Sequence, residues 1–319
     1  MKKTGQTAYP MEAFVKSIQI YIGNTLVDTH DSTWYRLFDE MYRSVDERAA
    51  YRNMGDMLEE PVGTVKTLYL PLIFWFNRHP AHSLAMVALQ QEVKLVFQFA
   101  ESVEGVDVSF DPRPRLYVEQ IFLDQEERQQ FAERPHKILM EQLQVQVHPL
   151  TFSASSMEIV SLPLEFQRPV KSITWVCTND THGVFSGRGR ELESNEYYGP
   201  IAYARFLVEN NEHTPEKQGS WFRTVHPFNR TGRIPSVGIY CLMFARYPGD
   251  SVHPSGSLNM TPVGSRLQLA MKTTDADPGS LTSTAAETGH LQELRVYAQS
   301  WNLLEISNGS AKLAWRGLI

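Results

Sequence analysis

Three clusters in this sequence carry residue types that enzymes use. The first is the turn Asn77-Arg78-His79-Pro80-Ala81-His82, which follows an apolar run. Two histidines this close suit a metal site, but His79 lacks the adjacent glutamate of an HExxH zinc helix, and Pro80 would break such a helix. The second is Asp124, Glu126 and Glu127, a carboxylate group of the kind used in acid–base catalysis. Their placement ahead of a helical segment has a simpler meaning. Asp124 and Glu127 have capping-box spacing, and first-turn acids complement the helix dipole. The third is Gly187-Arg188-Gly189-Arg190, which lacks the strand before and the helix after that a phosphate-cradling glycine loop requires.

The remaining motifs argue for structure rather than chemistry. No HxH pair, CxxC knuckle or GxSxG elbow occurs. Triads assemble from distant positions, so these absences leave nothing from which to argue an enzyme. His226, beside Phe222 and Phe228, reads as a partly buried, hydrogen-bonded histidine rather than a base. Cys177 and Cys241 each sit inside an apolar, strand-like run, so buried reduced thiols are expected, as in a chain folding in a cytosolic compartment. No catalytic, cofactor-binding or metal-ligating residue is expected. Asn-x-Ser/Thr triplets at Asn179, Asn229, Asn259 and Asn308 are candidate N-glycosylation sites; without a secretory signal such triplets are more often accidental than used.

Composition sets the class. The 319 residues are 42% hydrophobic and 21% charged, enough for a substantial core, with a soft prior of two domains. A net charge of −6, from 30 basic and 36 acidic residues, argues against a surface that coats nucleic acid. The longest apolar run, Leu68–Phe76, falls well short of the roughly 18 residues of a membrane span. Met1-Lys2-Lys3 leads into no apolar segment, so no signal peptide is expected.

The elements that must position these residues are mostly strands. Lys16–Asp28 alternates Ile18, Ile20 and Ile22 against polar neighbours and turns at Gly23-Asn24, a hairpin pattern. Asp31-Ser32 then caps a short amphipathic helix carrying Trp34, Leu37, Phe38 and Met41. Arg43–Pro61 reads as a surface connection. Leu68–Phe76 reads as a strand buried on both faces, neighbouring a strand at Val93–Phe99. Leu116–Leu123 reads as another strand, followed by a helix near Gln125. In the second half, strands are expected at Glu158–Phe166, Lys171–Cys177, Val237–Arg246, Arg266–Met271, Leu294–Ala298, Asn302–Ile306 and Lys312–Trp315. Thr178–Pro200 and Thr273–Gly289 are long polar loops. No internal repeat stands out. Many strands, few short helices and Pro/Gly-rich turns point to all-β sandwiches or barrels.

Several ordered motifs together resemble the major capsid protein of nucleocytoplasmic large DNA viruses, over nearly the whole chain. They include Ser17–Gly23 with Asp28 and the Trp34 helix, Leu68–Leu72 with Phe74–Arg78 and Ala88–Gln90, and Leu123–Asp124 with Glu127-Arg128 and Phe131-Ala132. Glu141–Gln144, Pro169–Lys171 with Trp175-Val176, Gly238–Tyr240, and His253–Gly256 with Asn259 follow in family order. The resemblance implies a double jelly roll with short helical insertions, the first roll over residues 1–147 and the second over 148–319. It implies a structural, non-enzymatic subunit of a trimeric, pseudo-hexagonal capsomer in an icosahedral virion shell. Neighbouring capsomers and minor capsid proteins would be its partners, with no direct nucleic-acid contact, no membrane insertion and no cofactor. Synthesis and assembly would take place in the host cytoplasm. Against the family pattern, the first roll is expected to be N-terminally truncated by about three strands of its eight. That would leave open sheet edges and poor solubility when the chain is expressed alone. The alternatives are a jelly-roll carbohydrate-binding module or a truncated capsid paralogue with a minor virion role.

Overall fold

A computed structural model describes residues 9–57, 67–103, 106–107, 113–149, 157–178, 201–236, 238–261, 264–272 and 293–315. The chain divides into two compact units. The first takes residues 1–39, 43–140 and 303–315, and the second 40–42, 141–302 and 316–319.

In the first unit, β1 (Val15–Ile22) and β2 (Thr25–Asp31) form the expected hairpin, and β3 (Val93–Phe99) pairs with the other edge of β1. Ile18, Ile20 and Ile22 are buried, as their alternation requires. Asp31 Oδ1 accepts from the Trp34 amide at 2.7 Å and starts α1 (Ser32–Tyr42), whose Trp34, Leu37 and Met41 are buried. The expected surface connection contains a helix, α2 (Val45–Gly55), anchored by buried Tyr51.

Leu68–Phe76 is not a strand. Residues 67–73 join no ladder, and Trp75–Arg78 form a short helix, α3. Pro71 removes a ladder donor, and the run is held instead by buried Ile73, Phe74 and Trp75. Leu116–Leu123 also joins no strand. It leads into α4 (Gln125–Glu133) as expected.

Among the described residues the second unit is built from eight main strands: β4 (His136–Pro149), β5 (Met157–Leu164), β6 (Pro169–Thr178), β7 (Ile201–Val208), β8 (Asn211–Gln218), β9 (Ile239–Met243), β10 (Ser265–Lys272) and β11 (Glu293–Ser307), with the two-residue strand Leu258–Asn259 pairing with the start of β6. One sheet has the order β4-β11-β6-β9 and the other β5-β10-β7-β8. In chain order that is first-eighth-third-sixth over second-seventh-fourth-fifth, two interlocked Greek keys, which is jelly-roll topology. Between the sheets Trp175 packs on Tyr240 and Phe222, with Ile173, Leu162, Phe206, Leu267 and Val296 around them. The strands expected at Leu294–Ala298 and Asn302–Ile306 are one continuous β11, and its C-terminal end makes a hairpin with β12 (Ser310–Leu313) in the first unit.

Each unit repeats one arrangement that the sequence did not advertise. A hairpin (β1–β2, β7–β8) runs into a helical segment whose first turn carries Trp-aromatic-Arg: Trp34-Tyr35-Arg36 after the first, Trp221-Phe222-Arg223 after the second. The second helical segment is a π-turn, Trp221–Val225, continued by α5 (His226–Thr231).

Candidate functional site

The candidate catalytic clusters resolve into structural roles. His79 caps a 3-10 turn, its Nδ1 accepting from the Ala81 amide at 3.1 Å. Asp124 and Glu127 form the expected capping box: Asp124 Oδ1 accepts from the Glu127 amide at 2.8 Å, and Glu127 Oε2 from the Asp124 amide at 3.1 Å. His226 is buried and its Nε2 accepts from the Met243 amide at 2.8 Å, so that nitrogen carries no proton. Burial, helped by the nearby Arg230 charge, pushes its pKa down to about 4. Cys177 and Cys241 are buried free thiols. Burial raises both pKa values, that of Cys177 to about 12, which keeps the thiolate that ligates metals out of reach. Among the described residues no group of three His, Cys, Asp or Glu is placed to hold a metal.

Asn229, Asn259 and Asn308 are exposed; Asn259 Oδ1 is engaged by the Thr261 amide at 3.1 Å. Asn179, the Gly187–Arg190 loop and most of both long loops lie outside the described residues.

Two buried polar assemblies escaped the reading of the sequence. On β2, Asp28 Oδ2 lies 3.2 Å from His30 Nε2, and the imidazole stacks on Phe74 at 4.2 Å, edge-on to Tyr35. Strand alternation puts Asp28 and His30 on one face, but nothing in it shows that Phe74, more than forty positions away, closes over them.

The larger assembly ties three adjacent strands of the second unit together. Between Val170 and Ser172 the pairing of β6 with β11 shifts register, which makes Lys171 the extra residue of a bulge. Its carbonyl accepts from the Phe244 and Ala245 amides at 2.9 and 3.0 Å, and its side chain is fully buried. Nζ donates to Glu141 Oε1 on β4 and stands 4.9 Å from the Trp301 ring. Glu141 Oε2 accepts from Gln299 Nε2 on β11 at 2.8 Å. One step along, Gln142 Oε1 accepts from Arg168 Nη1 and from Asn302 Nδ2 at 2.6 Å. Gln144 bridges the Gln167 carbonyl at 2.6 Å and Ser300 Oγ at 3.1 Å. The Glu141–Gln144 motif thus supplies rungs that reach β6 and β11. A slip of one residue would bury charges without partners, so the ladder fixes strand register. It is a joint: the named side chains of β4 reach β11, β6 and the turn that leads into β6.

The comparisons with known proteins agree with that architecture. The family model described as "Large eukaryotic DNA virus major capsid protein" matches residues 127–312, and one described as "Major capsid protein N-terminus" matches residues 1–124. The major capsid protein of Paramecium bursaria Chlorella virus 1 is 32% identical, over 98% of this chain and 81% of its own. That of Pyramimonas orientalis virus is 26% identical, over 98% and 78%. Among solved structures, a chain of the PBCV-1 virus capsid superposes with a TM-score of 0.83 at 30% identity, covering 98% of this chain and 86% of that one. The Faustovirus major capsid protein shares the fold, with a TM-score of 0.64 at 11% identity. The expected double jelly roll is the fold of these neighbours. The chain belongs to the large eukaryotic DNA virus major capsid protein family.

Proposed function

We propose that this chain is a building block of a virion shell: three copies associate into a pseudo-hexagonal capsomer, and capsomers tile an icosahedral capsid. One observation carries the reading. Nearly the whole chain superposes on a subunit of an assembled viral capsid at a sequence identity high enough to share more than fold. The second unit adds physical sense, because a jelly roll whose sheets are pinned by a buried ladder is a stiff plate suited to a wall. The proposed role is structural and needs no catalysis or cofactor; of the candidate residues, His79, Asp124, Glu127 and His226 serve caps and packing. The boundary between the two jelly rolls falls ahead of β4, near residue 135, rather than at 147, because β4 is the first strand of the second roll. Its partners are its own copies, neighbouring capsomers and minor capsid proteins, and assembly takes place in the host cytoplasm. Asn229, Asn259 and Asn308 are exposed enough to accept a glycan, which intact-mass analysis of virion material would reveal.

The test is assembly. Purified or virion-derived protein is expected to be trimeric by light scattering and to show hexagonal arrays in electron micrographs. A monodisperse monomer at all concentrations, with no lattice in virions, would reject the proposal.

A further inference from the structure

The described surface carries two strips that are opposite in charge and alike in exposing apolar side chains. The first runs from Leu116 to Glu133. It contains Glu119, Asp124, Glu126, Glu127 and Glu133 against a single Arg128. Tyr117, Val118, Ile121 and Phe122 lie open to solvent, Phe122 at 90% exposure, and α4 has no buried residue at all. A short helix with no buried face gains little from tertiary packing, and capping alone is a modest anchor. Exposed apolar patches of this kind mark association sites.

The second strip lies in the other unit. From Lys217 to Gly249 the chain contains no acid, but it contains Lys217, Arg223, Arg230, Arg233 and Arg246, in a protein of net charge −6. The π-turn, α5 and the residues after them expose Val225, Phe228 and Ile234 among these arginines. Arg223 Nε is buried with no hydrogen-bond partner. Among the described residues Arg230, Arg233, Glu119 and Glu126 take part in no ion pair.

The geometry points to these strips as the two halves of one subunit contact, with Leu116–Glu133 of one copy seated on Trp221–Ile234 of the next. Arginine is the cation suited to this, because its planar fork pairs with carboxylates at an interface and tolerates desolvation better than lysine. Phe122 and Phe228 would supply the apolar centre, with the charges as rim. The two strips differ, so the contact is heterologous. A heterologous contact propagates head to tail, which is the kind a trimeric ring is made from, whereas a two-fold dimer would need one patch to meet itself. The inference rests on the assembly reading above and names the surfaces that carry it.

The test uses the full chain and charge reversal. Arg230→Glu with Arg233→Glu, and separately Glu119→Arg with Glu126→Arg, should each raise the dissociation constant of the trimer by about tenfold or more. The four substitutions together should bring it back to within about threefold of the starting value, since each interface regains opposite charges. Hydrogen exchange on the unaltered protein provides a readout that does not depend on any variant folding. Both segments should slow on assembly. If either pair of reversals leaves the trimer unchanged, or the fourfold variant is no better than the pairs, or neither segment is protected, this contact is wrong and the trimer stands. If the unaltered chain never associates, the assembly reading fails and takes the contact with it.

Discussion

Replacing Lys171 by methionine tests whether the buried ladder is a real joint. Lys171 and Glu141 are fully and almost fully buried, so the substitution leaves the Glu141 carboxylate with Gln299 as its named side-chain donor. Stranding one partner of a buried ion pair costs about 3–5 kcal/mol. For a unit of this size each kcal/mol moves the melting midpoint by about 2–4 °C, so a drop of roughly 6–20 °C is expected. The reverse single change, Glu141→Leu, takes the carboxylate from an ammonium that stands 4.9 Å from the Trp301 ring, and should cost a similar amount. The double variant, Lys171→Met with Glu141→Leu, removes both charges and should recover most of the loss, because apolar replacements of buried pairs are often neutral. Denaturant unfolding of the four proteins gives the coupling energy directly. If Lys171→Met costs less than about 1 kcal/mol, the ammonium is hydrated in solution and the ladder does not hold register.

Three further outcomes follow from individual positions. The His226 pKa is about 4 in the folded chain against an ordinary 6.5, so its contribution is complete above pH 6.5 and is lost as pH falls toward 4. At full burial that difference amounts to roughly 3 kcal/mol, and His226→Gln, which keeps an acceptor for the Met243 amide, should flatten the stability–pH curve across that window. Glu12 is buried against Tyr51 and its pKa is raised, chiefly by desolvation. A raised carboxyl pKa favours the folded state below 4.5, and the advantage is lost as pH climbs through the folded value. Glu12→Gln, which still accepts from the Tyr51 hydroxyl, should therefore unfold at higher denaturant than the unaltered chain at pH 7 and show no difference at pH 4. Gly219→Ala would put a methyl 2.0 Å from the Ile201 carbonyl oxygen, where only backbone can yield. The β7–β8 pairing should open, with soluble yield falling sharply and thermal unfolding broadening; an unchanged melting curve would refute the close approach.

How far the fold was legible depends on what each strand faces. The β1–β2 hairpin, β5 and β10 could be read because one-sided burial imposes a period of two, and β6, buried on both faces, because of its short run of β-branched and aromatic residues. The caps at Asp31 and Asp124 could be read because the side chain that makes them is local. Leu68–Phe76 misled because a continuous apolar run does not reveal whether the backbone is paired. The hairpin partner β8, Asn211–Gln218, is nearly all polar, with only Thr214 buried, so alternation has nothing to mark. The ladder was legible only as residue types. Glu141, Lys171 and Gln299 are far apart in sequence, and it is the bulge at Lys171 that aims the ammonium.

The polar edge strand that hid from the sequence also bears on how the chain can associate. Strands β8 and β5 end the second sheet of the jelly roll, and a bare edge invites strand addition. β8 carries Glu212, Pro215, Glu216 and Lys217, and β5 carries Pro163, the residues that blunt an edge. A wall protein has to associate strongly at chosen surfaces without its sheets pairing at random. Blunted edges block the second route, and they leave side-chain surfaces for the first. The exposed acidic strip at Leu116–Glu133 and the arginine strip at Trp221–Ile234 are surfaces of that kind, since both would bond through side chains. Raising ionic strength should accordingly weaken assembly while leaving the jelly roll's own melting unchanged, because the ladder is buried and the strips are not. Assembly that tightened with salt would mean that apolar burial alone holds the copies together.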